Sequence, residues 1–403
     1  MTHSSRTGPP APDLSDTAID TQLSHLGRDS HRFHGFVNPP VVRASTVLFP
    51  SVEAMENPRD VRYTYGLTGT PTTEALTQAI DALELSAGTV LVPSGLAAVT
   101  LPILAVAKPG MRILVPDNVY WPTRRFCDGT LARLGVETLY YDPLIGGGIG
   151  ALMKEGGETI LFTEAPGSNT FEMPDLRAFV SAAKSADAIT MIDNTWATPL
   201  IYKPIAEGFD FSIQAGTKYY GGHSDLLIGS VSASKRLWPA LRETHQFMGL
   251  QAGTEEIFLT LRGMRTLRVR LEQHERSALE MAQWLDEQPF VERVMHPALP
   301  SDPGHTLFMD LFNGRGSGLF GFALRGTREQ GRAMLNALSL FGLGYSWGGY
   351  ESLAVQAQLD HCRTVQGWSG GPVVRLQIGL EDVADLKADI ARAAQAAGLP
   401  VAN

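Results

Sequence analysis

The chain has 403 residues, of which 44% are hydrophobic and 19% charged, with 33 lysines and arginines against 42 aspartates and glutamates. At roughly 150 residues per domain this length holds two or three domains, and the composition excludes wholesale disorder and a coiled coil. A formal net charge of −9 attracts no polyanion and disfavours nucleic acid as a partner. The two cysteines, Cys127 and Cys362, cannot build a disulfide framework and fit a reducing cytoplasm.

No run approaches the roughly 18 apolar residues of a membrane span. The first 16 residues lack the apolar centre of a signal peptide and read as a short frayed tail. Ile19, Leu23 and Leu26 recur at helical spacing behind a possible Asp16 cap, predicting a helix over 16–26. An irregular stretch follows over 31–70, punctuated by Pro39, Pro40, Pro50 and Pro58. It is long for a loop inside one domain, and an arm lying across another subunit is one way to bury it.

A strand-and-helix rhythm then begins. Helices are predicted over 73–85, 96–106 and 121–134, and strands over 89–92, 112–115, 158–163 and 189–192. Apolar strands alternating with helices predict an α/β fold with a buried, mostly parallel sheet covered on both faces. A long, broken helix is predicted from Thr254 to Leu285. Its Arg262, Arg265, Arg268 and Arg270 read as a solvated face or as intersubunit salt bridges. Strands over 291–294, 316–324 and 373–378, with helices over 330–338 and 382–397, predict a smaller α+β domain. The resulting division is a tail and arm over 1–67, a large domain over 68–265 and a small domain over 266–403.

Three segments carry chemistry. In Ala215-Gly216-Thr217-Lys218-Tyr219-Tyr220, a lysine sits among small and hydroxyl residues just after a polar strand end. An ε-amine becomes a nucleophile when burial lowers its proton affinity, and small neighbours let a flat cofactor approach. In Met191-Ile192-Asp193-Asn194-Thr195-Trp196, an aspartate ends a predicted parallel strand, the edge where open α/β sheets bind ligands. A carboxylate there suits the ring nitrogen of pyridoxal phosphate, which must stay protonated if the ring is to accept electrons. Taken alone, Asp193 reads equally as a helix cap or turn residue. In Val92-Pro93-Ser94-Gly95-Leu96, a strand ends in a turn and a helix begins, so free amides and the Ser94 hydroxyl form an anion cup. This segment is neither GxxxxGK[ST] nor GxGxxG, which favours a phosphate monoester over a nucleotide. A plain structural turn is the other reading.

The chain also resembles a known family, the Cys/Met-metabolism pyridoxal-phosphate enzymes, on their cystathionine β-lyase side. The resemblance runs from about residue 20 to residue 400. It is carried by Asn38 to Thr46 (NPPVVRAST), Tyr65-Gly66 with Gly69-Thr70-Pro71-Thr72, Asp117 to Arg124 (DNVYWPTR), Asp193 to Trp196 and Thr217-Lys218-Tyr219. Gly222 to Asp225, Tyr345 to Ser352 (YSWGGYES) and Arg375 to Glu381 complete it. The resemblance implies an aspartate-aminotransferase-like (fold type I) architecture, a large domain with a mostly parallel seven-stranded sheet plus a smaller C-terminal domain. It implies Lys218 as the lysine that bonds the cofactor and shuttles a proton, and Asp193 as the partner of the ring nitrogen. Ser94, Gly95, Leu96 and Thr217 become phosphate ligands, and Tyr120 an aromatic ring stacked on the cofactor with a place in catalysis. Arg375 becomes the clamp on the substrate carboxylate, with Ser346 and Trp347 beside it, and Tyr65 a phosphate contact in the neighbouring subunit.

Two departures stand out. Relatives often place an arginine two residues after the tyrosine, where this chain has Leu67, and Arg62 is a candidate substitute. Relatives often have serine at the position of Ala215. His31 and His34 lack the companions of a metal site, so no metal is expected. His223 reads as structural or catalytic, and Cys127 as a buried structural thiol.

The expected activity is α,β-elimination of a thioether amino acid in methionine biosynthesis, L-cystathionine giving homocysteine, pyruvate and ammonia. The expected protein is a cytoplasmic homo-oligomer, a tetramer with active sites shared between subunits, without nucleic-acid or membrane partners. The rivals are a broad cysteine-S-conjugate β-lyase, a cystathionine γ-synthase or γ-lyase, and a non-enzymatic pyridoxal-phosphate-binding regulator.

Overall fold

A computed structural model describes residues 13–153, 158–360 and 362–402. Seven strands form the first sheet: β1 (Gly88–Val92), β2 (Arg112–Pro116), β3 (Glu137–Tyr141), β4 (Thr159–Glu164), β5 (Ile189–Asp193), β6 (Phe211–Gln214) and β7 (Gly229–Ala233), in the spatial order β1-β7-β6-β5-β4-β2-β3. Strands β3, β2, β4, β5 and β6 run parallel. Only β7 is reversed, antiparallel to both β6 and β1. Six strands therefore end at one edge, and every chemistry-bearing segment of the first sheet lies just past that edge.

Apolar side chains make this sheet a buried layer. Val90, Val92, Ile113, Val115, Phe162, Met191 and Phe211 pack beneath the helix Gly95–Val106 on one side. Leu91, Tyr219 and Tyr220 meet Leu76, Ile80 and Leu83 of the helix Pro71–Glu84 on the other. The helix Leu267–Asp286 links the two layers, with Leu267 and Leu271 still in the core of the first. Its Leu285, Met281 and Ala278 join Phe320, Phe322, Val374, Leu376 and Ile390 in a second core. That core lies on a five-stranded sheet of β8 (Val291–Met295), β9 (Leu319–Leu324), β10 (Gly342–Leu343), β11 (Leu353–Gln356) and β12 (Val373–Gln377), ordered β10-β11-β12-β9-β8.

Three expectations are corrected. The first helix spans Ile19–His25, and Asp16 does not cap it. Residues 14–17 close instead as a turn, with Thr17 N and Oγ1 both donating to Leu14 O at 3.1 and 2.8 Å. The helix expected over 121–134 forms but is not uniform: it is α-helical over Trp121–Phe126, passes through a π-helical turn at Cys127–Leu131 and resumes α over 132–133. Arg265 and Arg270 are not a solvated face. Arg270 is buried and donates to Tyr219 O and Gly263 O, both at 2.8 Å, while Arg265 donates to Leu23 O and Leu26 O, both at 2.7 Å. Guanidinium groups thus satisfy carbonyls inside the fold, and burial pushes both down to about 10, still charged at neutral pH.

Side chains from the first sheet anchor the second. Trp196 Nε1 donates to Leu319 O at 2.8 Å, and Tyr219 OH accepts from Gly318 N at 2.9 Å. These bonds fix β9 and its neighbour β12 over the shared strand edge.

Candidate active site

The loop after β1 begins the site. Ser94 is extended and its Oγ accepts from Ala97 N at 3.1 Å, capping the helix Gly95–Val106. The hydroxyl proton remains available to an outside acceptor, and the amides of Gly95 and Leu96 have no acceptor within the described chain. A side chain at position 95 would put its Cβ 2.6 Å from that of Ala215, so only glycine lets the turns after β1 and β6 meet.

Asp193 ends β5. Its Oδ1 accepts from Thr195 N at 3.0 Å and from Thr195 Oγ1 at 2.6 Å. Thr195 Oγ1 in turn accepts from Ala215 N at 2.9 Å, which ties the β5 end to the turn bearing the lysine. Burial raises Asp193 above the usual carboxylate range, while Thr195 and Lys218 oppose the rise.

Lys218 follows β6, with its amide on Ala215 O at 2.9 Å. Nζ donates to Ser346 Oγ at 2.8 Å and lies 5.3 Å from the Trp347 ring centroid. Burial first and the Arg375 guanidinium second push the amine down to about 8, against the pull of Asp193. A minor but accessible neutral fraction therefore exists near neutral pH. Gly348, at φ 80°, packs over this lysine: a Cβ there would meet Tyr219 N at 3.0 Å and Lys218 Cβ at 3.1 Å.

Arg375, on β12, donates through Nη2 to Tyr345 O at 2.6 Å and to Ser346 O at 3.4 Å. Burial lowers it to about 10, so the guanidinium keeps its charge at neutral pH. Its other nitrogens make no bond in the described chain and can face a carboxylate. Tyr120 is 45% exposed, room enough for a flat partner, and burial of its hydroxyl with the Asp193 and Glu164 charges raises that group.

Two further expected ligands have other partners within their own chain. Thr217 Oγ1 is engaged with Ile228, donating to its carbonyl at 3.2 Å and accepting from its amide at 3.1 Å. Tyr65 forms an isolated bridge with Thr46, is 49% exposed, and hydrogen-bonds to none of the residues above. Arg62 is held by Glu74 of its own chain at 2.5 Å. His223 turns back on its own loop, with Nδ1 2.7 Å from Gly221 O.

Sequence reasoning missed Glu164, which ends β4 beside Asp193 and accepts from Tyr120 N at 2.9 Å. It also missed Asp117 as a structural group. Asp117 accepts from the amides of Thr364, Val365 and Gln366 at 2.7, 3.1 and 3.1 Å and pairs with Arg124 at 2.7 Å. The position of Glu164 at the end of the apolar run Thr159–Thr163 was a usable signal.

A free-amide cup with a hydroxyl, a strand-end carboxylate, a low-pKa lysine and a half-exposed tyrosine ring match the phosphate, ring nitrogen, aldehyde and flat face of pyridoxal phosphate. The fold and site define a fold type I enzyme of that cofactor. The chain matches the family described as Cys/Met metabolism PLP-dependent enzyme over residues 20–395, and it belongs to that family. A putative cystathionine beta-lyase of Rhizobium johnstonii is 53% identical over 389 residues, 95% of this chain and 98% of that protein. The cystathionine beta-lyase MetC of Escherichia coli is 43% identical over 389 residues, 94% of this chain and 98% of that protein. The crystal structure of a cystathionine gamma synthase from Xanthomonas oryzae pv. oryzae, in complex with aminoacrylate and cysteine, superposes with a TM-score of 0.86 at 31% identity, covering 96% of this chain and 99% of that one.

Proposed function

We propose that the chain is a carbon–sulfur lyase that eliminates across Cα and Cβ of L-cystathionine, giving homocysteine, pyruvate and ammonia. The observation that carries this reading is the Lys218 amine, lowered to about 8 and bonded to Ser346 beneath Arg375. When bound, pyridoxal phosphate supplies a sink for the electron pair left by α-proton loss.

Ser94 Oγ and the Gly95 and Leu96 amides would receive the phosphate, and Asp193 the ring nitrogen. Thr217 would join the phosphate through its hydroxyl only by giving up Ile228. The free edge of the Arg375 guanidinium takes the substrate carboxylate, where a planar donor pair orients Cα. Neutral Lys218 Nζ removes the Cα proton, and Ser346 aims that nitrogen. Tyr120 covers the opposite face of the cofactor ring, and Trp347 keeps water from the lysine.

The greater identity to β-lyase relatives than to the γ-synthase structure supports β- over γ-elimination. The half-exposed Tyr65 and the exposed Phe36, Leu48 and Val52 of the same arm support burial against a second subunit, within a tetramer that shares its active sites. Among the described residues no helix is long and apolar enough to cross a membrane, which agrees with a cytoplasmic enzyme of methionine biosynthesis. The same reading divides the chain at residues 67 and 265. Packing changes from the first sheet's core to the second's along the helix that follows the latter boundary, with Leu267 and Leu271, like Ile257 and Leu261 before them, on the first and Ala278, Met281 and Leu285 on the second.

Product analysis tests the reading. L-Cystathionine should yield pyruvate and homocysteine. Predominant 2-oxobutyrate and cysteine would place the protein with the γ-lyases, and cleavage of other cysteine S-conjugates but not cystathionine would make it a conjugate lyase.

A further inference from the structure

The strand edge carries a second acid for which the proposed function has no task. Glu164 and Asp193 are paired residues of the adjacent parallel strands β4 and β5. Paired residues of neighbouring strands project from the same face of a sheet, so the two carboxyl groups leave it side by side. Both are half-buried. Two carboxylates so placed resist joint ionisation, and one of them keeps a proton.

The hydrogen bonds distinguish the two. Asp193 meets donors. Thr195 Oγ1 receives Ala215 N at 2.9 Å, so its own proton points to Asp193 Oδ1 at 2.6 Å, and Thr195 N adds a second donor at 3.0 Å. That is the setting of a carboxylate. Glu164 meets two backbone donors, Tyr120 N at 2.9 Å from Oε2 and the Ser168 amide, but its remaining partner is adaptable, Ser168 Oγ at 2.5 Å from Oε1. The Ser168 hydroxyl makes no other bond and can turn to accept. A neutral Glu164 would then accept the Tyr120 amide with one oxygen and donate its O–H to Ser168 with the other, leaving both partners satisfied.

We propose that Glu164 is a positioning residue that retains a proton at neutral pH, leaves the pair's negative charge on Asp193 alone, and fixes through Tyr120 N the turn that carries the Tyr120 ring. The consequence for the cofactor rests on the proposed function, in which Asp193 must be anionic opposite the ring nitrogen. The proton itself does not. Burial and the Asp193 charge both raise Glu164. The other titratable groups facing the pair are Lys218 from the loop after β6, Tyr120 from the loop after β2 and Arg375 from β12. Lys218 lies toward Asp193 and lowers it, while neither cation is among the leading influences on Glu164.

Infrared difference spectroscopy on the cofactor-free protein at neutral pH tests the proton. The wild type minus Glu164→Gln spectrum should contain the carbonyl stretch of a protonated carboxyl, a difference that also removes the contribution of other buried acids such as Glu84. In Asp193→Asn the same band should titrate away at lower pH, because the like charge is gone. A difference spectrum with no such band, or a band that titrates identically in Asp193→Asn, overturns the proposal. Cofactor titration tests the positioning. Glutamine reproduces both bonds of a neutral acid, whereas alanine orphans Tyr120 N, so Glu164→Ala should weaken pyridoxal-phosphate binding about tenfold or more and Glu164→Gln should restore most of that loss. Equal weakening by both variants overturns the neutral form. Failure of the wild type itself to bind pyridoxal phosphate would sink the proposed function while leaving the infrared result intact.

Discussion

Two aspartates at one edge of the first sheet invite comparison. Asp117 follows β2 in Pro116-Asp117-Asn118, and Asp193 ends β5 in Ile192-Asp193-Asn194. Both end an apolar strand with the same Asp-Asn pair, and burial raises both. Yet Asp117 is held below the usual carboxylate range and Asp193 above it. The difference lies in the donors. Three successive amides, Thr364 to Gln366, and the buried Arg124 surround Asp117, with Arg363 3.7 Å away. Asp193 has one threonine. The first carboxylate is saturated and pins the 363–366 segment of the second unit to the first sheet. The second has acceptor capacity left over, which is what a ring nitrogen requires. Spare hydrogen-bonding capacity, more than burial, separates the working groups of this molecule from its fasteners.

The sharpest way to break this contrast is to remove each carboxylate. Asp117→Ala leaves Arg124 buried and unpaired and three amides without an acceptor, and should cost about 3–5 kcal/mol in denaturant unfolding of the cofactor-free protein. Asp193→Ala should change the same quantity by less than about 1 kcal/mol. Similar losses in both would end the distinction.

Arg375 extends it to a cation with unused donors. Arg375→Ala should lower kcat/KM by about one to two decades, the value of a charged hydrogen bond of about 1.5–3 kcal/mol. An unchanged kcat/KM would assign the carboxylate to another residue.

Glu84 supplies a buried acid of the Asp193 kind away from the site. It is fully buried, accepts from Ser212 Oγ at 3.0 Å, and burial raises it to about 7 from 4.5. The fold therefore favours its neutral form. Its contribution is fully present below pH 4.5 and is lost as pH rises to about 7, at most about 3 kcal/mol at 1.36 kcal/mol per unit. Asp117 has the opposite sign: its contribution is present above its ordinary value of 3.8 and is lost as pH falls through its depressed one. Glu84→Gln should flatten the fall in unfolding free energy between pH 5 and 7 and gain about 1–3 kcal/mol at pH 8. A wild-type stability that does not fall across that range contradicts the assignment.

The phosphate cup offers the smallest test. Its donors are neutral, and Arg62 is occupied by Glu74. Leu67→Arg should therefore tighten pyridoxal-phosphate binding by about 1–2 kcal/mol, provided the arm reaches a neighbouring subunit's cup. Arg62→Ala weakening the cofactor sharply, with no gain from Leu67→Arg, would show that Arg62 already fills that place.

Much of the site was legible because its chemistry is local: Lys218 among small residues, Asp193 at a strand end, Ser94-Gly95 between strand and helix. The apolar strands β1, β2, β4 and β5 were legible for the same reason. The strands between β1 and β5 were less so: a strand end was expected before Lys218 but without bounds, and β7 was not expected at all. β6 (Phe-Ser-Ile-Gln) and β7 (Gly-Ser-Val-Ser-Ala) are buried through small and polar residues. Ser232 and Thr89 hydrogen-bond across strands at 2.8 Å, and Ser212 bonds to Glu84. Hydropathy carries no trace of such pairing. Glu164 stayed hidden because its partners, Asp193 and Tyr120, come together only through strand pairing, and Arg265 and Arg270 because their carbonyl partners are set by tertiary packing.

Trapping the cofactor on its lysine tests the central claim most directly. Protein loaded with pyridoxal phosphate and reduced with borohydride should lose its visible absorption band, and peptide mass analysis should place the pyridoxyl group on Lys218. A label on any other lysine, or a protein that stays colourless and unlabelled in excess pyridoxal phosphate, would contradict the account.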